Sequence, residues 1–206
     1  MEASSANTSA TGGPLAPISP PPADDLDLDV ILQGIVAGLT GLPGDLIRPR
    51  WQPTQPRIPD IGTTWCAIGV TLTTPDDTPA QIHHPDSEGY SVLRRFDRLV
   101  VLASFYGPRS DGYARLLRDG LYVGQNREAL LHHGLNLIGA GAIRRVPTIE
   151  ATQTRRRSDL PLVLIRRVER RYPILNVLKG VGTINADTST GGPPVITVQP
   201  FAAPRT

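Results

Sequence analysis

Histidines are the side chains of this chain best suited to bind a metal ion. His83 and His84 are adjacent, with Asp86 close by, and His132 and His133 form a second adjacent pair. Neighbouring histidines on a regular element do not easily face one ion, and the chain contains no His-Glu-x-x-His or Cys-x-x-Cys spacing. We therefore expect these histidines to be surface residues, and we predict no metal site and no cofactor.

Serine and cysteine are the candidates for a catalytic nucleophile. Ser104 does not lie in a Gly-x-Ser-x-Gly elbow, and Cys66 lies in an apolar run without a neighbouring base that would lower its pKa. Gly139 and Gly141 supply only half of a dinucleotide-binding fingerprint. The residues therefore predict a protein that is not an enzyme. A hydrolase with an unrecognised site, using His83, Ser104 or Cys66, is the weaker alternative.

Arginine dominates the cationic residues, and it is unevenly distributed along the chain. Lys179 is the only lysine among 21 cationic residues, and the formal net charge is +2. Residues 1–90 hold three arginines and eleven acidic residues, whereas residues 91–206 hold eighteen cationic and eight acidic residues. Such an asymmetry fits either a nucleic-acid surface or a head-to-tail contact between subunits.

Several groups of arginines could bind phosphate. Because neighbouring residues of a strand point to opposite faces, a pair of arginines in a strand does not form one patch. A turn can present all of its side chains, so we expect Arg155, Arg156 and Arg157 to face outward on a basic turn at residues 155–159. Aromatic side chains that would stack on single-stranded bases are scarce near the other groups of arginines. A nucleic-acid-binding module is therefore kept as an alternative function.

Hydrophobic periodicity and turn residues predict the elements that hold these side chains. Apolar residues at helical spacing, preceded by Asp24 and Asp25, predict a first helix that stops before Gly41 and Pro43. Alternating apolar residues predict strands, and Leu135 to Ala142 is expected to be a loop or a weak element. The order predicts an α+β fold: a mostly antiparallel sheet with helices packed on one face. The helices are expected at residues 24–39, 110–120 (with Ser110 as the N-cap) and 125–133, and the strands at 61–73, 94–105, 143–152 (interrupted by Pro147), 160–171 and 172–178, with a polar segment at 81–89.

Residues 42–70 combine five prolines with an apolar, strand-like end. Proline removes a hydrogen-bond donor and pushes the preceding residue toward an extended conformation, so this segment cannot be the interior of a helix. We expect an ordered, extended connector that lies over a surface. Arg48, Arg50 and Trp51 are its candidate interface anchors, because Arg and Trp are enriched at binding hot spots. The alternative is that Trp51 covers the core of its own domain.

The two ends of the chain differ in composition from its centre. Residues 1–23 are rich in Ser, Thr, Ala, Gly and Pro, and we expect a disordered N-terminal arm. Residues 24–178 are expected to form a single α+β domain, and residues 179–206 a C-terminal extension. No stretch has the apolar length that a membrane span requires, and a lone cysteine suits a reducing cytosol.

Five sequence motifs, in this order and spacing, resemble those of the phage neck terminator family, whose members are also described as tail terminator proteins. The motifs together with their spacing extend the resemblance over residues 26–178, and both terminal arms fall outside it. The motifs are GLPGDLIRPRWQP (41–53), WCAIGVT (65–71), SFYGP (104–108), LRDGLYVGQNREALLHHGL (117–135) and RSDLPLVL (157–164).

The resemblance implies a structural virion protein of a tailed bacteriophage, located at the neck and assembled in the host cytoplasm. Such a protein would form a homohexameric ring that caps the tail tube, ends tube polymerisation and joins the tail to the head. Its partners would be further copies of itself, the tail tube protein, the head–tail connector or head-completion protein, and double-stranded DNA in the lumen. The resemblance supplies no catalytic residue. A neighbouring head-completion or connector protein is the related alternative.

Overall fold

The computed structural model describes residues 7–54, 56–150, 153–177, 179–180 and 201–202. Its helices are α1 (Asp25–Thr40), α2 (Ser110–Gly120) and α3 (Gly124–His132), with a 3-10 turn at Gly44–Leu46. Its strands are β1 (Ile47–Pro49), β2 (Trp65–Pro75), β3 (Ala80–His84), β4 (Tyr90–Tyr106), β5 (Leu135–Ala140), β6 (Arg144–Arg145), β7 (Thr148–Glu150), β8 (Gln153–Arg155), β9 (Arg157–Tyr172), β10 (Lys179–Gly180) and β11 (Phe201–Ala202).

The chain divides into two compact units, and each is assembled from separate stretches of sequence. The first unit takes the described residues within Met1–Ile18, Ile82–Val92 and Arg171–Thr206. The second unit consists of Ser19–Gln81 and Leu93–Arg170. The predicted boundaries at residues 23 and 178 of a central domain remain predictions.

In the first unit, backbone hydrogen bonds join residues from opposite ends of the sequence. The Ser9 amide donates to the Pro173 carbonyl at 3.0 Å, and the Ile18 amide donates to the Arg171 carbonyl at 2.8 Å. Residues 173–177 form no strand, so the predicted strand at 172–178 is wrong for its described part. Pro173 has no amide hydrogen to continue a strand ladder, which explains the end of β9.

Helix α1 of the second unit forms because its apolar residues recur at helical spacing. Leu28, Leu32 and Val36 are all buried along one stripe. The helix ends at Gly41, which adopts φ 70° and donates its amide to the Ala37 carbonyl at 2.9 Å. The predicted first helix is therefore confirmed to within one residue at each end.

The main sheet is mixed, with both parallel and antiparallel pairs among its described strands. Its described strands follow the order β1-β2-β4-β9-β5, with β3 pairing β4 and β6 pairing β9. Strand β1 pairs β2 in parallel, whereas β2 pairs β4 and β5 pairs β9 in antiparallel registers. The predicted α+β class with a mostly antiparallel sheet is confirmed.

The core lies on one face of this sheet. Cys66 and Ile68 of β2 are buried, and they stand opposite Phe105 and Ala103 of β4 in the sheet register. Residues of α1, α2 and α3 join the same buried cluster. The prediction that the helices pack on one sheet face is therefore confirmed. Cys66 is a core residue, as a lone thiol in an apolar strand usually is.

Two segments for which the sequence predicted no clear strand form strands. Residues 80–84, at the start of the predicted polar segment, form β3, and residues 135–140 form β5. Gly139 in β5 does not prevent pairing with β9, because Leu135 and Leu137 are buried and the register shifts between Leu137 and Gly139. Tertiary burial thus outweighs weak strand propensity in β5.

Two local predictions also need correction. Ser110 is the first residue of α2, and Arg109 occupies the N-cap position. Residues 155–159 do not form a turn, because Arg155 ends β8 and Arg157 begins β9. The predicted strand at 143–152 is divided into β6 and β7 around Pro147, and residues 151–152 lie outside the described part.

Candidate functional site

Four side chains form a ladder of stacked guanidinium and aromatic groups across the sheet. The rings of Trp65 and Tyr106 stack with centroids 4.3 Å apart and an interplanar angle of 11°. The guanidinium carbon of Arg48 lies 5.4 Å from the centroid of Trp65, and that of Arg157 lies 5.5 Å from the centroid of Tyr106. Each contact is a cation–π or aromatic pair of ordinary geometry. We call Arg48, Trp65, Tyr106 and Arg157 the arginine–aromatic ladder.

The strand order places these four residues side by side. They come from β1, β2, β4 and β9, which are consecutive neighbours in the sheet. Trp65 stands opposite Tyr106 in the antiparallel register, and Arg48 stands opposite Ala67 in the parallel one. Because side chains alternate along a strand, Trp65 and Ala67 face away from the core that Cys66 and Ile68 enter. The ladder therefore lies on the sheet face opposite α1.

Arg157 is held at one end of the ladder by a carboxylate. Its Nε and Nη2 donate to the two oxygens of Asp159, both at 2.8 Å. These hydrogen bonds raise the pKa of the Arg157 guanidinium, and burial partly opposes the rise. A bidentate pair fixes the orientation of the guanidinium plane, so Arg157 presents a defined face to Tyr106.

Arg50 fastens the connector to the same sheet face. Its amide donates to the Ile68 carbonyl at 2.7 Å, and its Nη2 donates to the Ser104 hydroxyl at 2.6 Å. A Cβ on Gly69 would lie 2.9 Å from the Cβ of Arg50, so only glycine allows the connector to approach this closely. Ser104 is buried, and its hydroxyl serves this attachment.

Trp51 lies on the surface beside Arg50. Trp51 is 63% exposed, and its Nε1 donates to the Val70 carbonyl at 2.9 Å. This exposure favours the interface interpretation of Trp51 over the alternative in which Trp51 covers the core of its own domain, and the interface role stays a prediction. The predicted extended connector is confirmed, since residues 50–54 and 56–64 contain no helix or strand.

The three arginines at 155–157 do not form one outward patch. Arg155 is only 3% exposed and donates to the carbonyls of Pro59 at 2.8 Å and Asp60 at 3.3 Å. Arg156 is exposed, and Arg157 belongs to the ladder. The prediction fails because strand geometry sends successive side chains to opposite sides. Arg155 instead fixes the connector by donating hydrogen bonds to two carbonyl groups of the connector.

Arginine groups lie at residues 94–98, 144–145, 155–157, 166–167 and 170–171, and six of these arginines form ion pairs with described carboxylates of the second unit. Ion pairs join Arg94 to Glu169, Arg95 to Asp76, Arg145 to Asp111 and Arg166 to both Asp24 and Asp97, among others. The neighbouring guanidiniums of Arg115 and Arg145 also lower the pKa of Asp111 by hydrogen bonding. This pairing reduces the charge available for phosphate groups.

The candidate nucleophile and metal-ligating residues have local contacts typical of structural residues. Cys66 is fully buried, and burial raises the pKa of its thiol far above the ordinary value. His83 is hydrogen bonded to Ser91 and Asn176, at 3.1 and 2.9 Å. No three His, Cys, Asp or Glu side chains of the described residues come together as a metal site. None of the described helices is long and apolar enough to cross a membrane.

A groove of about 360 Å³ runs beside the ladder at the β1 edge of the sheet. The groove is lined by connector residues and by Arg48, Trp65 and Tyr106 of the arginine–aromatic ladder. Its lining includes Arg48, Arg50, Gln52, Ile58, Trp65 and Tyr106.

Trp65, Tyr106 and Asp159 were missed as site residues by reasoning from the sequence. Both aromatics lie in the motifs WCAIGVT and SFYGP, and Asp159 lies in RSDLPLVL. No local signal shows that these three motifs meet, because strand pairing brings them together. The predicted anchors Arg48 and Arg157 belong to this arrangement, whereas Arg155 lies beneath the connector.

Comparison with known proteins agrees with this set of motifs. The family described as “Phage neck terminator protein” matches residues 26–190. A search of curated proteins finds no significant match to the chain.

Proposed function

Because the chain belongs to the phage neck terminator protein family, we propose that it forms a homohexameric ring that caps the tail tube and ends tube polymerisation. The family makes the chain a structural component of the bacteriophage virion at the neck. In our proposal, the ring also joins the tail to the head–tail connector or head-completion protein, and the genomic double-stranded DNA passes through its lumen. Assembly takes place in the host cytoplasm.

The single observation that carries this proposal is the family match over most of the chain. A cyclic ring needs two different patches on each subunit that fit one another. The acidic first part and the basic second part of the chain could supply them. The arginine–aromatic ladder and the exposed Trp51 add residue types that are typical of binding hot spots.

A free-standing nucleic-acid-binding module is less well supported. Ion pairs already neutralise many arginines of the second unit, including Arg94, Arg95, Arg145 and Arg167. Binding to duplex phosphates would require these pairs to open, at a cost to affinity. The exposed Arg144 and Arg156 could still meet DNA in the lumen of a ring.

The test is the mass of the full chain in solution, measured by light scattering at two salt concentrations, with and without purified tail tubes. We expect either a closed ring near six subunits or binding confined to tube ends, visible by electron microscopy. Tubes alone and protein alone are the controls. A monomer that ignores the tubes but binds DNA in low salt would overturn the proposal and favour the nucleic-acid module.

A further inference from the structure

The groove beside the arginine–aromatic ladder is lined by two residues that each carry an unsatisfied hydrogen-bond donor. The Nε of Arg50 and the Nε1 of Trp65 are buried, and neither has an acceptor among the described residues. Both residues line the groove together with Arg48. Buried polar groups in proteins are normally hydrogen bonded, so two orphaned donors at one place indicate that an acceptor is supplied from outside.

A carboxylate is the acceptor that fits this lining best. Arg48 and Arg50 line the groove, and arginine forms its strongest hydrogen bonds with anionic oxygens. The aliphatic side chain of Ile58 and the ring of Pro56 lie in the same lining. The occupant should therefore combine carboxylates with apolar side chains.

Residues 25–30, at the start of α1, have this composition. Asp25, Asp27 and Asp29 form no ion pair with any other described residue, whereas the preceding Asp24 pairs with Arg166 at 2.8 Å. Leu26 and Val30, one helical turn apart, are 68% and 65% exposed. Burial, followed by the charge of Asp25, raises the pKa of Asp29.

One copy of the chain does not bring these two surfaces together. Helix α1 packs with Cys66 and Ile68, on the core face of β2. The groove is lined by Trp65 and Ala67, which point to the opposite face. Two surfaces of opposite charge on opposite faces of one sheet fit the head-to-tail contact of a closed ring.

We propose that the groove beside the ladder receives residues 25–30 of a second copy of this chain. This contact rests on the proposed ring and identifies the two patches that meet in it. The aspartates would pair with Arg48 and Arg50, and Leu26 and Val30 would cover Ile58 and the aromatic edge of the groove. Each subunit would give its α1 start to one neighbour and its groove to the other.

The test is a charge swap in the full chain. Asp27→Arg and Arg48→Glu should each abolish the ring peak in light scattering or the binding to tube ends. The double variant Asp27→Arg/Arg48→Glu should restore it, because the swapped charges again attract one another. Asp77→Arg and Arg98→Glu make the same charge changes at other exposed positions and should leave assembly unchanged. Far-UV circular dichroism checks that each variant is folded.

A disulfide trap tests the same contact without depending on charge. In the variant Asp27→Cys/Arg48→Cys, mild oxidation should give a series of covalent oligomers on a denaturing gel, whereas either single variant should give none. Cys66 is buried and serves as the background thiol in every sample.

The outcomes separate the contact from the ring. Rings that form normally with Asp27→Arg and with Arg48→Glu would overturn this contact and leave the proposed function standing. Loss with both single variants but no rescue in the double variant, and no trapped oligomer, would also overturn it. If Arg48→Glu alone stops binding to tube ends, the groove takes a carboxylate of the tube protein and the contact is again wrong. Absence of rings in every sample would defeat both proposals.

Discussion

The two faces of β2 and β4 differ in how their side chains are stabilised. On the core face, Cys66, Ile68 and Phe105 are at most 1% exposed and pack against helices. On the other face, Trp65 and Tyr106 stack between two arginines, and a proline-rich connector forms the edge. Neighbouring residues of one strand thus belong to an apolar core and to a half-exposed polar ladder.

This difference teaches that the two faces of one strand can contribute very differently to stability. Burial of apolar surface supplies most of the stability of a domain, so the core face should dominate the free energy of unfolding. Cation–π and stacking contacts at half-exposed sites contribute less, so the ladder can be reshaped at little cost to the fold. The predictions below test this division of roles.

The largest effect is expected for Phe105→Ala, on the core face of β4. Phe105 is fully buried, so its truncation should lower the free energy of unfolding by about 3–5 kcal/mol. The matched control is Tyr106→Ala, one residue further along and on the ladder face, with an expected loss of about 1–2 kcal/mol. Urea denaturation followed by circular dichroism measures both. An equal loss for the two variants would contradict the division.

Arg166→Met should come next, because it leaves a buried carboxylate without its cation. Arg166 donates to the Ala23 carbonyl at 2.8 Å and to Asp97 at 3.4 Å, and both charged residues are 8% exposed. We expect a loss of about 3 kcal/mol in urea denaturation, as for other broken buried pairs. Arg94→Met breaks a half-exposed pair with Glu169 and should cost less than about 1 kcal/mol.

The Arg166 prediction has a second arm. In Arg166→Met/Asp97→Leu both charges are replaced by apolar side chains, and much of the lost stability should return. If Arg166→Met alone is as stable as the unmodified chain, the ion pair at the end of the core face does not matter for the fold.

Trp65→Ala should have a smaller effect on stability, since it removes one stacked pair and one cation–π contact. We expect a loss of about 1–2 kcal/mol, measured by urea denaturation. Trp65→Phe keeps an aromatic ring and removes the orphaned Nε1, so it should be almost neutral. A Trp65→Phe variant as unstable as Trp65→Ala would mean that the indole nitrogen has an acceptor in the folded chain.

The smallest effect is expected for Asp29→Asn, and its sign depends on pH. Burial and the charge of Asp25 raise the pKa of Asp29 in the folded chain. A raised carboxyl pKa means that the folded state loses stability as pH rises through that pKa, whereas below the unfolded pKa of about 3.9 the penalty is absent. Asp29→Asn should therefore be more stable than the unmodified chain at pH 7 and equal to it at pH 3.

Thermal unfolding at both pH values measures this difference. Asp77→Asn removes one exposed carboxylate elsewhere and is the matched control. If the stability gained by Asp29→Asn over the unmodified chain were larger at pH 3 than at pH 7, the sign would be reversed and the assignment contradicted.

Local sequence patterns predicted much of the fold. Leu28, Leu32 and Val36 at helical spacing identified α1, and alternating residues around Cys66 and Leu162 identified β2 and β9. Weak segments were harder, as β5 and β3 show. Gly139 and Ala140 lower the intrinsic strand propensity of β5, and it is a strand because β9 and the core stabilise it.

The candidate site was predicted only in part. Arg48, Arg50 and Trp51 were proposed as interface anchors because Arg and Trp are enriched at binding hot spots, and that role stays a prediction. Arg155 was misjudged because its burial depends on two carbonyls of the connector, almost a hundred residues earlier in the chain. A contact between residues so far apart in the sequence cannot be predicted from the spacing of neighbouring residue types.

The sequence by itself determined the family, the α+β class, the buried position of Cys66 and the extended connector. These follow from residue types and short-range periodicity, which act through local backbone preferences and burial. Only the tertiary structure decided that Arg48, Trp65, Tyr106 and Arg157 form one ladder. The reason is physical: sheet register sets which distant residues become neighbours, and register depends on the packing of all the strands at once.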